Sequence, residues 1–516
     1  MKTGTLVLKN RYVDSVALMA ATNQLKERSG VEDAAMMMGT DVNKELLAQG
    51  GLLTEDAQTA QANDLIIAIR SGADMQPLLE EAQSLLTARS VDAEKTASLP
   101  ETVRTVKRIS PHLNLTIISV GGAYAAREAR EALAAGMHVL LFSDNVSLQD
   151  EVDLKRFARQ QDLLLMGPGA GTAILNGIGL GFANAVPRGS VGIVSAAGTG
   201  LQEVSTLLAK QEVGVSQAIG TGGRDLSRAV GGLTFFAGVD VLQADDQTRV
   251  LALISKPPDP QVTRQLLEKI ADLSKPTVLC LLGADVPDSI NENLHFTRTL
   301  EECAYTSAAL AQDAELDVRD FLRKEDAGLS EFIQTTRDVF SDEQRNIRAL
   351  YSGGTLCYEA QVIWKDLLSQ PVYSNAPLEK KYQLTDAWHS KGHTAVDLGE
   401  EEFTLGRPHP MIDNTLRIQR MQQEVRDKQT AVILLDVVTG YGAHPDPAAE
   451  LGEAIQHLRA ENFSGQTVVF IASVTGSEQD PQGYTRSAAL LQESGVFVCK
   501  SNAQAARLAA ALVEGE

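Results

Sequence analysis

The sequence predicts an α/β protein built from several parallel-sheet domains, with a small α/β domain at the front. Three observations predict it. From residue 102 onward, short continuous apolar runs alternate with helical periodicity, the pattern of strands buried on both faces of a parallel sheet. Two of those runs end in a glycine–threonine junction that opens a helix: Val191-Gly192-Ile193-Val194-Ser195-Ala196-Ala197-Gly198-Thr199-Gly200 and Ala349-Leu350-Tyr351-Ser352-Gly353-Gly354-Thr355. Finally, 516 residues with 44% hydrophobic and 22% charged content leave room for three or four globular domains with large cores.

Residues 1–90 read strand, helix, strand, helix, strand, helix, with strands over 5–9, 34–38 and 64–70. The first helix begins near Val13-Asp14-Ser15, and the last carries Leu78, Leu79, Ala82, Leu85 and Leu86 at helical spacing. This is a unit of split βαβ type. The polar stretch 90–101 reads as a linker. Over 102–186 the strands fall at 115–120, 139–142 and 163–166, and Ser143-Asp144-Asn145-Val146 and Gly167-Pro168-Gly169 mark strand ends. Over 187–312 they fall at 191–195, 216–219, 250–254 and 277–282, followed by Gly220-Thr221-Gly222-Gly223-Arg224-Asp225 and Ser255-Lys256-Pro257-Pro258. Residues 313–345 are charged and helical, a linking segment. Over 346–516 the strands are 347–351, 394–398, 431–436, 467–472 and 496–500. Between them lies Gly406-Arg407-Pro408-His409-Pro410-Met411-Ile412-Asp413, whose two X-Pro steps exclude helix and central strand. Arg407, His409 and Asp413 are therefore placed on a rigid loop near Gly399-Glu400. Ligands of open parallel sheets sit at the carboxyl ends of the strands, where these residues fall.

Charge and composition exclude several classes. A formal net charge of −21 with no basic stripe opposes nucleic-acid binding and attraction to anionic membranes. No apolar run reaches ~18 residues, so no transmembrane helix is expected. The N-terminus leads straight into a strand pattern rather than a signal peptide. The four cysteines, Cys280, Cys303, Cys357 and Cys499, form no C-x-x-C pair. Neither a zinc site nor a disulfide framework is indicated, no histidine spacing marks a metal site, and a reducing, cytoplasmic location fits.

The glycine junctions carry the chemistry. A strand–glycine–helix junction points free N–H groups outward at a helix start, where the dipole favours an anion and a missing side chain lets phosphate approach. A plain βα turn explains one such junction; two make paired anion sites, with Gly198, Thr199 and Gly200 on one side and Gly353, Gly354 and Thr355 on the other. Thr199 and Thr355 are expected to face each other. Lys256, after an apolar strand, reads either as a solvated charge or as a cation for a phosphoryl or carboxylate group. Arg224 and Asp225, after Gly222-Gly223, read either as a loop ion pair or as a fork that binds a carboxylate. His409, between two prolines, is either a surface residue or a substrate contact or general acid. The acceptor carboxylate is expected toward Arg407 and His409, with Asp413 on the same loop.

The motifs Asp14-Ser15-Val16-Ala17-Leu18-Met19, Met38-Gly39-Thr40, Phe142-Ser143-Asp144-Asn145-Val146, Met166-Gly167-Pro168, Gly222-Gly223-Arg224-Asp225-Leu226-Ser227, Ile254-Ser255-Lys256-Pro257-Pro258, Ser352-Gly353-Gly354-Thr355-Leu356 and Gly406-Arg407-Pro408-His409-Pro410-Met411-Ile412-Asp413 run in order over nearly the whole chain. In them the chain resembles the FdrA-like family of the succinyl-CoA synthetase (acyl-CoA synthetase) superfamily. The resemblance implies a CoA-binding-like Rossmann domain over 102–186 and a flavodoxin-type domain over 187–312, both similar to the ligase α-subunit. It implies a second flavodoxin-type domain over 346–516, similar to the carboxyl-terminal part of the β-subunit and fused in one chain. The two glycine junctions then match the paired helices that grip phosphate in the ligases.

The departures are as informative. The stretch 284–294, after Leu281-Leu282-Gly283, holds no histidine where the ligases carry phosphate, and Lys256 aligns with the glutamate that supports that histidine. The ATP-grasp half is absent, and no glycine-rich CoA loop precedes residue 102. The resemblance leaves CoA open as a cofactor and gives this chain no nucleotide domain. Three function classes follow. One is an acyl-CoA synthetase or succinate-CoA ligase-like enzyme (ADP-forming) using CoA and nucleotide. One is transfer of an acyl or carbamoyl group from a phosphate anhydride to a carboxylate acceptor without phosphohistidine, as in an oxamate carbamoyltransferase-type subunit of purine (allantoin) catabolism. The last is a non-catalytic subunit. Partner subunits or a homo-oligomer are implied. The missing histidine favours the transferase mechanism, for which no labelling of the chain by ATP is expected.

Overall fold

The computed structural model describes residues 2–514 except 12, 14, 27, 29, 92–99, 101, 285–291, 406 and 462–465. Asp14, most of the 90–101 linker, Gly406 and most of the histidine-free stretch lie outside the described residues. The chain divides into two compact units, Met1–Glu101 and Thr102–Glu516.

The first unit runs β1 (Lys2–Leu8), α1 (Ser15–Lys26), β2 (Val31–Met38), α2 (Asp41–Gln49), α3 (Glu55–Thr59), β3 (Leu65–Ser71) and α4 (Met75–Val91). Both β1 and β2 pair antiparallel with β3, which lies between them, so the strands of β1–α1–β2 are parallel but split. Alternate residues of β3 serve two cores. Leu65, Ile67 and Ile69 pack with Leu18, Leu25, Leu78 and Ala82. Ile66 and Ala68 pack with Leu47, Leu52 and Ala57. A strand buried on both faces carries no polar alternation, which is why 65–69 is a continuous apolar run.

The second unit opens with α5 (Val103–Ile109), then a three-stranded parallel sheet of β4 (Leu115–Ile118), β5 (His138–Leu141) and β6 (Leu165–Met166), connected by α6 (Gly122–Ala134) and α7 (Leu148–Gln160). A hairpin follows, β7 (Thr172–Leu175) and β8 (Ile178–Gly181), absent from the sequence-based expectation. It turns through Asn176 and Gly177 at φ 52° and 79°, the left-handed pair that a two-residue hairpin loop needs. Residues 172–181 are expected in the 102–186 domain, but β7 pairs antiparallel with a strand of the next sheet, so the hairpin extends that sheet instead.

That sheet contains β9 (Arg188–Ser195), β10 (Val215–Gly220), β11 (Val250–Ser255), β12 (Thr277–Leu281) and β13 (Leu294–Thr297), with α8 (Gly198–Lys210), α9 (Leu233–Ala244), α10 (Pro260–Ala271) and α11 (Leu300–Ala311). Its order is β13-β12-β11-β9-β10-β7-β8. Helices α12 (Val318–Ala327) and α13 (Ser330–Arg337) form the linking segment. The last sheet is parallel, ordered β15-β16-β14-β17-β18-β19. Its elements are β14 (Asn346–Tyr351), α14 (Gly354–Leu367), β15 (Val372–Ser374), β16 (His393–Asp397), α15 (Glu401–Thr404), α16 (Thr415–Glu424), β17 (Thr430–Val438), α17 (Pro447–Glu461), β18 (Val469–Thr475), α18 (Tyr484–Glu493), β19 (Phe497–Cys499) and α19 (Asn502–Val513). The fold is thus mixed α/β with several parallel sheets and a small domain in front.

Two features of this layout position the site. β9 lies between β10 and β11, and β14 lies between β16 and β17, so each glycine junction leaves a strand where the winding of its sheet reverses. One apolar core also serves both large sheets, uniting Leu201, Val204 and Leu208 of α8 with Leu356, Ala360 and Trp364 of α14 and Leu508 of α19. Trp364 is fully buried, and its indole N–H donates to Ala506 O at 2.8 Å.

Candidate functional site

The starts of α8 and α14 touch, as the paired junctions lead one to expect. The Thr355 N–H donates to Thr199 Oγ1 at 3.2 Å. A Cβ on Gly200 would stand 3.1 Å from the Thr355 methyl, and one on Gly353 2.9 Å from the Thr199 methyl. Glycine at these two positions therefore lets the helices close on each other. Neither helix has a side-chain cap; their N-cap residues are Ala197 and Gly353. By contrast, Ser147, Thr299 and Ser501 cap α7, α11 and α19 in the ordinary way.

The two helix starts are not equivalent. Among the described residues, the N–H groups of Gly198, Thr199 and Gly200 have no protein partner, and a Cβ on Gly198 would meet nothing within 4 Å. At α14 most of the donors are already used. Asp436 accepts from Ser352 N at 2.8 Å and from Gly353 N at 2.7 Å, and Thr355 N is bound to Thr199. A Cβ on Gly354 would collide with Asp397 Oδ2. The expectation that Gly353, Gly354 and Thr355 offer a second set of phosphate donors is corrected for Gly353 and Thr355, whose N–H groups the protein itself takes up; the Gly354 N–H has no protein partner among the described residues. The charge preference of the helix dipole is the same, but an internal anion satisfies it.

These elements surround a cleft of about 580 Å³. Gly198 and Thr199, Gly222 and Gly223, Lys256, Gly354 and Thr355, and Arg407 and His409 all line it. Lys256 is half-buried, lies 5.4 Å from the Tyr358 ring centroid, and makes no ion pair among the described residues. Arg407 is exposed, its guanidinium 5.5 Å from the Trp388 ring centroid. His409 Nδ1 accepts from Met411 N at 3.2 Å, leaving Nε2–H as the outward donor of a neutral ring. Burial holds its pKa down at about 4, with Arg417 adding to the shift and Asp436 opposing it. The residue expected as a general acid is therefore a neutral hydrogen-bond donor at pH 7. Its ring packs on Phe182, centroids 5.8 Å apart.

Other expected residues serve the scaffold. Arg224 does not pair with Asp225. Its guanidinium forms an ion pair with Glu151 Oε2 at 2.9 Å and donates to Val146 O at 2.8 Å. Asp225 is fully buried, accepting from Lys155 Nζ at 2.7 Å and from Phe235 N at 2.7 Å at the start of α9. Asp413 accepts from Thr415 N at 2.8 Å at the start of α16 and does not line the cleft. Gly222 is needed for its backbone: φ is +89° and a Cβ would lie 2.5 Å from Pro168 O.

The structure adds residues that the sequence did not single out. Asp397 ends β16, is 3% exposed, and accepts from Gly399 N at 2.9 Å. Burial raises its pKa to about 7, Glu400 and Asp436 push the same way, and Lys256 and the Gly399 N–H oppose. Asp436 lies within β17 and is paired with Arg417 at 2.9 Å. Asp144, also in the cleft, has its pKa raised by burial, with Arg224 opposing. The available signal was an aspartate after an apolar run, Val396-Asp397 and Leu435-Asp436.

The fold is that of a CoA-ligase-type α/β protein. The CoA-ligase family matches residues 350–512, and the family described as AllF, heavy metal-associated domain, matches residues 1–102. The chain is 39% identical over 514 residues to the uncharacterized protein YahF of Escherichia coli K12, covering 99% of this chain and 98% of that one. It is 28% identical over 176 residues to succinate–CoA ligase [ADP-forming] subunit alpha 1 of Archaeoglobus fulgidus, a match spanning 33% of this chain and 59% of that subunit. Among solved structures it is similar to the apo dinucleotide-forming acetyl-coenzyme A synthetase 1 of Ca. Korarchaeum cryptofilum, at 13% identity, with 86% of this chain and 93% of that one covered and a TM-score of 0.34. The chain belongs to the FdrA-like family of the CoA-ligase superfamily. Positions 1–101 contain neither Cys nor His. No helix among the described residues is long and apolar enough to cross a membrane.

Proposed function

We propose that the protein transfers an acyl or carbamoyl group from a phosphate anhydride to a carboxylate-bearing acceptor, without a phosphohistidine, as one subunit of a complex. Oxamate is the acceptor and carbamoyl phosphate the donor in this reading. The observation that carries it is the pairing of three unused N–H groups at the start of α8 with an ion-pair-free lysine across the same cleft. Together they make a seat for a dianion, aided by the helix dipole. Lys256 stabilises the negative charge that collects on phosphate as the C–O bond breaks, and its preformed position keeps the reorganisation cost low. Arg407 at the mouth serves the acceptor carboxylate, and His409 donates through Nε2 to a carbonyl oxygen. A mixed anhydride already carries a good leaving group, so no covalent phosphoenzyme is needed.

The test is incubation of the full chain, with its partner subunits where turnover needs them, with carbamoyl phosphate and oxamate. Carbamoylated product and inorganic phosphate are expected in equal amounts. Phosphate release without product, or no release above the uncatalysed rate, refutes the reading. The family match favours a second reading, an acyl-CoA synthetase using CoA and nucleotide. Radiolabelled ATP separates the two: the transferase remains unlabelled, whereas the synthetase acquires label on the protein.

A further inference from the structure

We infer that Asp397 is the acid–base residue of this cleft, holding a proton when a dianion docks on α8 and delivering it to the departing phosphate. The inference rests on the transferase reading above and adds the proton path that it lacks.

The geometry comes first. Asp397 closes β16 at the winding reversal of the last sheet, and its Oδ2 lies against Gly354 at the start of α14. It lines the same cleft as the free donors of α8 and as Lys256. Its other oxygen is held by the Gly399 N–H, which fixes the carboxyl plane. Glycine at 354 and 399 brings it close: a Cβ at either position would meet Asp397, and one at 399 would also lie 2.9 Å from His409 Nε2. The groups that face it are Lys256 after β11, Glu400 after its own strand, Asp436 on β17, Cys357 on α14 and the neutral ring of His409. Asp436 is different. Its charge is compensated by Arg417, and Ser352 and Gly353 donate to its oxygens.

A buried carboxylate beside an incoming dianion meets strong repulsion, and taking a proton removes it. The carboxyl titrates at about 7 in the free protein, so little is needed to keep it protonated in the complex. The chemical step then balances. The acceptor nitrogen attacks the carbonyl carbon and forms the C–N bond; the carbon–oxygen bond to phosphate breaks. The Asp397 proton goes to the phosphate oxygen that takes the bonding pair. The new carboxylate accepts the proton from the acylated nitrogen, which returns Asp397 to its starting state.

Sulfate tests this, because it is a dianion that does not titrate near neutral pH. Calorimetric titration of the full chain with sulfate at pH 8, in Tris and in HEPES, reads the protons exchanged from the difference in heat. Wild type is expected to take up most of a proton per sulfate, with affinity falling about tenfold per pH unit above 8. The D397N variant is expected to bind sulfate at least as tightly, with no proton uptake and no such pH dependence, and to lose transfer by about a hundredfold or more. Uptake in wild type needs no variant and so stands whatever the stability of D397N. Sulfate binding by wild type without proton uptake, or D397N with unchanged uptake or turnover, overturns the inference while leaving the α8 seat standing. No sulfate binding by wild type removes the seat itself and the inference with it.

Discussion

Asp397 stands where a helix start would otherwise receive a ligand, and its burial carries a stability consequence apart from any chemistry. Its pKa is raised in the folded chain, to about 7 from an ordinary value of 3.8. Between those values the native state binds more protons than the unfolded one, so stability falls as pH rises through the window and stays lowered above it. Asparagine at 397 has no charge to bury. D397N is therefore expected to gain stability over wild type as pH rises from 4 to 7, reaching a few kcal/mol above pH 7 on the order set by the shift, and nothing at pH 3.5. Denaturant unfolding across that range checks the sign, and a gain that is flat with pH would show that Asp397 is not the titrating group. The two junction glycines also part company at this scale. Gly198 faces open space, so Gly198→Val should abolish sulfate binding with unfolding changed by less than about 1 kcal/mol. Gly354→Val drives a side chain into Asp397, so it should destabilise the chain by several kcal/mol instead.

At the scale of elements, α7 is tied to the Gly222 loop by a buried charge cluster. Lys155, with a side chain 0% exposed, bonds Asp225 at 2.7 Å and Glu151 at 3.0 Å, and its Nζ also donates to Thr221 O at 2.9 Å. Removing the lysine alone would strand two buried carboxylates, with only Arg224 left on Glu151. Lys155→Met is expected to cost about 3–5 kcal/mol and to loosen Gly222 and Gly223 at the cleft wall, read by thermal unfolding and by hydrogen exchange at 220–226. This cluster also marks the limit of what could be read from sequence. The buried strands were legible because continuous apolar runs have no other soluble explanation, and the glycine junctions were legible from the strand-to-helix change of period. The 172–181 hairpin was not, although Asn176-Gly177 is a hairpin signal, because four-residue flanks carry too little pattern to outweigh a neighbouring loop. Arg224 and Asp225 are adjacent in sequence, and adjacency says nothing about partners: one reaches Glu151 and the other Lys155, both on α7. A strand-ending aspartate such as Asp397 looks like any other until the facing helix start is in place.

At the scale of the whole molecule, the site depends on two large sheets sharing one core. α8, α14 and α19 contribute side chains to the same apolar cluster, which fixes the helix starts against each other. The two large sheets are thereby held in register within one chain. The first unit has a different standing. It carries its own apolar clusters, one on each face of its three-stranded sheet, and these contain no residue beyond 86. Every residue of the cleft falls between 142 and 412, inside the second unit. A chain cut to 102–516 should therefore lose the two small clusters and nothing that shapes the cleft. We expect this fragment to fold, to bind sulfate within about twofold of the full chain, and to show the same proton uptake at pH 8, since the groups that set it all remain. The isolated 1–101 fragment should unfold on its own and bind no sulfate, having neither the α8 donors nor Lys256. Calorimetric scans of the three chains test the division directly. If 102–516 fails to fold, or folds with sulfate binding lost, the residues of the second unit do not suffice for the site.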